Sequence, residues 1–256
     1  MGRVGGLWLE GFTVMLQNIK FPIASPNIEQ VLDCFLDEVS QKYKRNTTNR
    51  YKNVIQLFKI SMNNYGHQTL LKEESELFDR LYSTEGSGHR EFVQVFGPEK
   101  IPENVGEFLG YFMVRKVICG KGLLKSAGTV TKRLGKWLID KGYVCKEDST
   151  DMMNRGAEAV TELPAADKLA EMLYNYAKSH PVSDWTNEVD DYLTVEKVEL
   201  GKIYFSAPED VEDDIIILSL PKRITDKCKV GWNISLFLGK TEKGWKIIES
   251  GGVYAL

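Results

Sequence analysis

The residues best placed to do chemistry in this chain are cations rather than nucleophiles. Lys42, Lys44, Arg45, Arg50 and Lys52 cluster around Asn46-Thr47-Thr48-Asn49, and a second run holds Lys121, Lys125, Thr131, Lys132, Arg133 and Lys136. Backbone N–H groups at a helix start, capping hydroxyls and flanking cations are what a phosphate contact uses. Lys44, Arg45, Thr47, Arg50, Thr129, Lys132 and Lys136 are therefore the candidate DNA contacts. Lysines at such spacing also make ordinary solvated faces. The observation favouring nucleic acid is that both sets fall in one half of the chain and at expected helix starts.

Other chemistries lack their parts. The sequence has no G-x-S-x-G elbow, no Walker loop and no H-E-x-x-H. Gly120-Lys121-Gly122 lacks the third glycine of a phosphate cradle. His67, His89 and His180 are the only histidines, and none pairs with another at i,i+3 or i,i+4 to offer a metal two imidazoles. Glu73-Glu74-Ser75-Glu76, Glu188-Val189-Asp190-Asp191 and Glu212-Asp213-Asp214 are carboxylate runs of the kind that solvate faces and turns. No catalytic constellation, metal site or cofactor is expected. Cys34, Cys119, Cys145 and Cys228 are widely separated and follow no disulfide framework, which suits reduced thiols in a cytoplasmic protein.

Composition sets the class of molecule that carries these residues. With 256 residues, 43% hydrophobic and 27% charged, the chain is ordinary for a globular protein of one large or two modest domains. No apolar stretch approaches the ~20 residues of a membrane-spanning helix. Residues 1–25 read as an irregular extension, since Glu10 interrupts any signal-peptide core and Gly6 stands where a myristoylation signal needs Ser or Thr. The net charge of −3 is unevenly spread: residues 1–150 carry 21 Lys and Arg against 17 Asp and Glu, whereas residues 151–256 carry 12 against 19. A basic half and an acidic half imply two domains with different partners, duplex DNA for the first and a basic protein for the second.

Hydrophobic periodicity changes at the same place. In the first half, apolar residues recur at helical spacing: Val31, Leu32, Phe35, Leu36 and Val39; Tyr51, Val54, Ile55, Phe58 and Met62; Leu77, Phe78 and Leu81; Val105, Phe108, Leu109, Phe112 and Met113; and, from about Thr129, Val130, Leu134, Trp137 and Leu138. A further helix over 167–179 carries Leu169, Met172, Leu173 and Tyr176. It is expected to dock on the helical half, with the hinge at His180 to Trp185. From Tyr192 the period becomes two, with Ile234, Leu236 and Leu238 alternating cleanly and Thr241-Glu242-Lys243-Gly244 forming a hairpin turn. The expected architecture is α+β: an all-α domain over 26–180 and a small SH3-like or OB-like β-barrel over 186–256.

Within the helical half, Asn46-Thr47-x-x-x-Tyr51-x-x-x-Ile55-x-x-Phe58 resembles a helix of the SAM-like core-binding domain of tyrosine recombinases (phage integrases). Ala127-Gly128-Thr129-Val130-Thr131-Lys132-Arg133-Leu134-x-x-Trp137-Leu138-x-x-x-Gly142-Tyr143-Val144 is similar to the last helix of that domain. The resemblance covers residues 28–148, with Lys72–Pro102 as an insertion, and implies a helical domain that clamps duplex DNA. It stops there: after residue 150 the chain has only Arg155, Arg223 and His180, and no H-x-x-R, so recombinase activity is not implied. The Thr129–Val144 segment also resembles the recognition helix of a winged helix. The sequence thus favours a non-catalytic DNA-binding protein. The alternative is an interaction or scaffold module whose barrel binds a partner and which does not touch nucleic acid.

Overall fold

A computed structural model describes residues 23–209, 211 and 213–255. The architecture is α+β, a helical N-terminal half followed by a five-stranded antiparallel sheet. The helices are α1 (Ile28–Lys42), α2 (Arg45–Tyr65), α3 (Lys72–Tyr82), the single-turn α4 (Phe92–Val95) and α5 (Met113–Arg115), then α6 (Lys121–Asp140) and α7 (Lys146–Ser179). Almost all of the irregular extension lies outside the described residues. Among those described, no helix is long and apolar enough to cross a membrane.

Local chemistry sets the helix starts. Asn27 caps α1 through a reciprocal box: the Gln30 amide donates to Asn27 Oδ1 at 2.9 Å, and the Asn27 amide donates to Gln30 Oε1 at 3.0 Å. In α2 the expected caps are not used. The helix begins earlier, at Arg45, behind Lys44, which makes no side-chain cap, and Thr48 lies inside it. The fourth apolar stripe is partly π-helical, over Glu107–Phe112, and still buries Phe108, Leu109 and Phe112. The stripe expected from Thr129 belongs to a helix that starts eight residues sooner, at Lys121. Thr129 is therefore mid-helix, and its hydroxyl donates to the Lys125 carbonyl at 2.9 Å.

Periodicity gave no sign of the first half of α7, over 146–166, for a physical reason. This segment meets α6 largely through small residues, with Met152 and Leu163 its only fully buried large apolar side chains. A Cβ on Gly128 would stand 2.6 Å from the Gly156 carbonyl oxygen and 2.7 Å from the Val160 nitrogen, and a Cβ on Gly156 would stand 2.6 Å from the Lys132 nitrogen. The two backbones are in van der Waals contact. Farther along, the buried Ser149 hydroxyl donates to the Gly135 carbonyl at 2.6 Å.

The second half of α7 corrects the expected docking. Ala166, Leu169, Leu173 and Ala177 pack not on the helical half but on the sheet, in one core with Val189, Leu193, Phe205, Leu236 and Ile247. The helical core takes the same helix only as far as Leu163. Between them lies Pro164, which has no N–H to give the preceding turn. The change of core at Pro164, rather than the end of the helix, separates the two halves. Helical spacing shows that a stripe is buried but not which surface buries it.

The sheet runs β1 (Asn187–Glu199), β2 (Lys202–Ser206), β3 (Ile215–Ser219), β4 (Asn233–Thr241) and β5 (Gly244–Tyr254), in the spatial order β3-β2-β1-β4-β5. A short helix, α8 (Lys222–Thr225), links β3 to β4. The hydrogen-bonded ladder is an open run of five strands whose outer members, β3 and β5, lie near each other without shared ladder bonds, and α7 covers the apolar inner face. The apolar run at 215–220 resolves into alternation: Ile216 and Leu218 are buried, while Ile215 and Ile217 are 55% and 41% exposed. The hairpin is as expected, with Gly244 at φ +87.

Two outcomes follow from this packing. Gly128→Ala gains about 1 kcal/mol in helix propensity, yet should lower stability by roughly 1–3 kcal/mol because the facing backbone must move. Urea denaturation reads the sign, and an unchanged or higher midpoint would show that α6 and α7 can separate freely. Leu173→Asp should abolish hydrogen-exchange protection in β1, β4 and β5 first, leaving α1 and α2 protected. Loss beginning in α1 and α2 would restore the docking on the helical half.

Candidate nucleic-acid interface

The helical core holds α1, α2 and α6 side by side through Phe35, Tyr51, Phe58, Val130 and Leu134, and leaves three surface grooves around α6. The largest, about 710 Å³, runs between α2 and α6. From α2 come Thr47, Arg50 and Asn53; from α6 come Gly122, Lys125, Ser126, Thr129 and Arg133. Arg50, Lys125 and Arg133 are its charged residues, and no carboxylate lines it. Each helix contributes from its first turn, Thr47 on α2 and Gly122 on α6, so the positive ends of both helix dipoles lie beside the groove.

A second groove, about 430 Å³, lies between α6 and the first half of α7 and is lined by Thr129, Lys132, Arg133 and Lys136 opposite Met153, Ala157 and Val160. Lys136 Nζ is paired with Asp140 at 3.0 Å, one turn along, which offsets part of its charge. At 70% side-chain exposure that pair is weak, so Lys136 can exchange it for another anion.

The candidate contacts are thus divided. Thr47, Arg50 and Thr129 share the first groove; Thr129, Lys132 and Lys136 share the second; Arg133 lines both. Lys44 and Arg45, at the exposed start of α2, line neither. Lys125 and Arg133 join this groove without being among the candidate contacts, and their signal lies in the spacing: Lys125, Thr129 and Arg133 follow one another at i, i+4, i+8 on one helix face. Lys132 and Lys136 lie on the side of α6 that faces α7. Thr129 contributes less than its type suggests, because its hydroxyl proton is already engaged within the helix.

A third groove, about 310 Å³, separates α1 from α6 and is bordered by Phe35, Tyr43, Tyr51 and Trp137 with Lys42, Arg133 and Lys136. The Arg133 guanidinium lies 5.4 Å from the centre of the Tyr43 ring and donates to its hydroxyl. Burial raises the Tyr51 hydroxyl pKa, and the neighbouring Arg133 charge opposes that rise. Glu38 accepts from Lys141 at 2.6 Å and from the Trp137 indole at 3.0 Å. These two donors, Lys141 first, hold its carboxyl below the usual range.

Among the described residues, no three His, Cys, Asp or Glu side chains are grouped as metal ligands would be. No protein-family model, curated protein or solved structure matches this chain.

The Glu38 network has a definite pH signature. A carboxyl whose folded pKa is depressed contributes stability above its unfolded value of about 4.3, and that contribution is lost as pH falls through the folded value. Glu38→Gln should therefore lower the melting temperature at pH 7, with the difference from wild type shrinking toward zero as the medium is acidified below that window. A difference that grows in acid would show that the Lys141 and Trp137 contacts do not stabilise the ionised form.

Proposed function

We propose that the helical half is a non-catalytic, cytoplasmic DNA-binding module that takes duplex phosphates in the α2/α6 groove. The observation that carries this reading is the convergence of Arg50, Lys125 and Arg133 on one concave surface without an opposing carboxylate, beside the N-terminal turns of two helices. The α6/α7 groove extends the cationic surface through Lys132 and Lys136. The resemblance of residues 28–148 to the core-binding domain of tyrosine recombinases supports the same reading, and a SAM-like helical clamp is its fold-level form. The acidic sheet half would contact a basic protein partner or restrain the clamp.

A second reading rests on a different surface. Strand β3 is an edge of the sheet and presents Ile215 and Ile217 to solvent. An apolar, solvent-facing strand surface of this kind can take a protein partner. On that reading the protein is an interaction module that does not touch nucleic acid.

Salt dependence separates the two. Each phosphate neutralised steepens the slope of log K against log salt by about 0.9. Arg50→Ala, Lys125→Ala and Arg133→Ala should each weaken duplex binding across unrelated sequences and flatten the slope by about 1. Fluorescence anisotropy at low and physiological salt reads both quantities. Absence of binding at low salt, or a slope unchanged in the triple variant, would remove the DNA reading and leave the β3 edge as the functional surface.

A further inference from the structure

The groove between α1 and α6 differs from its neighbours in having aromatic walls. The Phe35 and Trp137 rings meet edge to face at 5.3 Å, and the Tyr43 and Tyr51 rings stack at 5.8 Å with 19° between their planes. Tyr43 and Trp137 are partly exposed: Tyr43 stacks on Tyr51 with Arg133 and Lys42 near its ring, Trp137 lies beside Tyr143 and Lys141, and what remains exposed of both rings borders the groove. Trp137 is also held in place, because its indole N–H donates to Glu38 and Glu38 is in turn fastened by Lys141. A volume of about 310 Å³ lies at the lower end of the range of small-ligand sites.

Charge decides what such a site can take. Aromatic clusters often receive cations, but here Lys42, Arg133 and Lys136 border the pocket, and its two carboxylates, Glu38 and Asp140, are paired with Lys141 and Lys136. A cationic guest would meet repulsion and no unengaged carboxylate. A flat neutral ring joined to an anion fits instead. Arg133 joins the two functions, since it lines this pocket and the phosphate groove and lies over Tyr43 between them.

We propose that the aromatic pocket receives one unpaired base of a DNA strand whose phosphates lie in the α2/α6 groove. The inference rests on the DNA-binding reading and adds a substrate preference to it. A base paired within a duplex is stacked on both faces and cannot enter, whereas an extrahelical base gives up the least on transfer to an aromatic wall. The protein should therefore prefer DNA carrying a bulge, gap or single-stranded end.

The test uses the wild-type protein and three hairpins that differ at one position: fully paired, with one bulged adenine, and with the bulged nucleotide made abasic. Charge and backbone are the same in the last two. The adenine bulge should bind about 10-fold more tightly than the abasic one, as base–aromatic stacking provides. Trp137→Ala should bring that ratio close to one, and the wild-type comparison stands even if the variant fails to fold. Equal affinity for adenine and abasic bulges, or tighter binding of the fully paired hairpin, overturns the inference while leaving phosphate binding intact. Failure of all three hairpins to bind at low salt overturns both.

Discussion

At Gly128 and Gly156 the helices α6 and α7 cross with backbone against backbone, and most of the architecture depends on that contact. Each glycine meets the other helix's backbone, not its side chains. At that distance the register of one helix on the other is fixed, because any added atom forces the pair apart. Helix α6 carries Lys125, Arg133 and Trp137 on its other faces, and so the positions of all three grooves follow from this contact.

The other member of the pair belongs to both halves of the molecule. Up to Leu163, α7 is part of the helical core, and from Ala166 it is the cover of the sheet. A five-stranded sheet with one apolar face needs such a cover, and the helix supplies it. Polar contacts, on the helix and beside it, also connect the halves. Arg115, at the end of α5, donates to the hydroxyls of Tyr192 in β1 and Tyr254 in β5, and Lys229 pairs with Glu162 at 2.6 Å. The two halves differ in charge and secondary structure yet share one continuous 34-residue helix.

The sequence disclosed the molecule unevenly, and the differences have physical causes. Large side chains at regular spacing were legible: the stripes of α1 and α2, the alternation of β4 and the Gly244 turn all stand where their patterns put them. Elements built on small residues were not. The first half of α7 has Gly156 and Ala159 where a conventional stripe has Leu or Phe, so periodicity gave no sign of it. The partner of an apolar stripe was equally hidden, because Leu169 and Leu173 satisfy the same pattern whichever surface covers them. At the candidate site, residue type singles out α2 and α6, and Thr47, Arg50 and Thr129 share a groove. Which side of α6 stays open toward α2 is decided by the position of α7, and residue spacing does not show that.

On the proposed DNA-binding reading, function lies on the α6 surface facing α2 and the sheet has a supporting role. Amide chemical-shift mapping of the labelled protein on addition of duplex DNA tests that division most directly. The shifts should concentrate at Thr47, Arg50, Gly122, Lys125, Thr129 and Arg133, with the amides of β2 and β3 unmoved. Shifts confined to the sheet, centred on Ile215–Ser219, would contradict it.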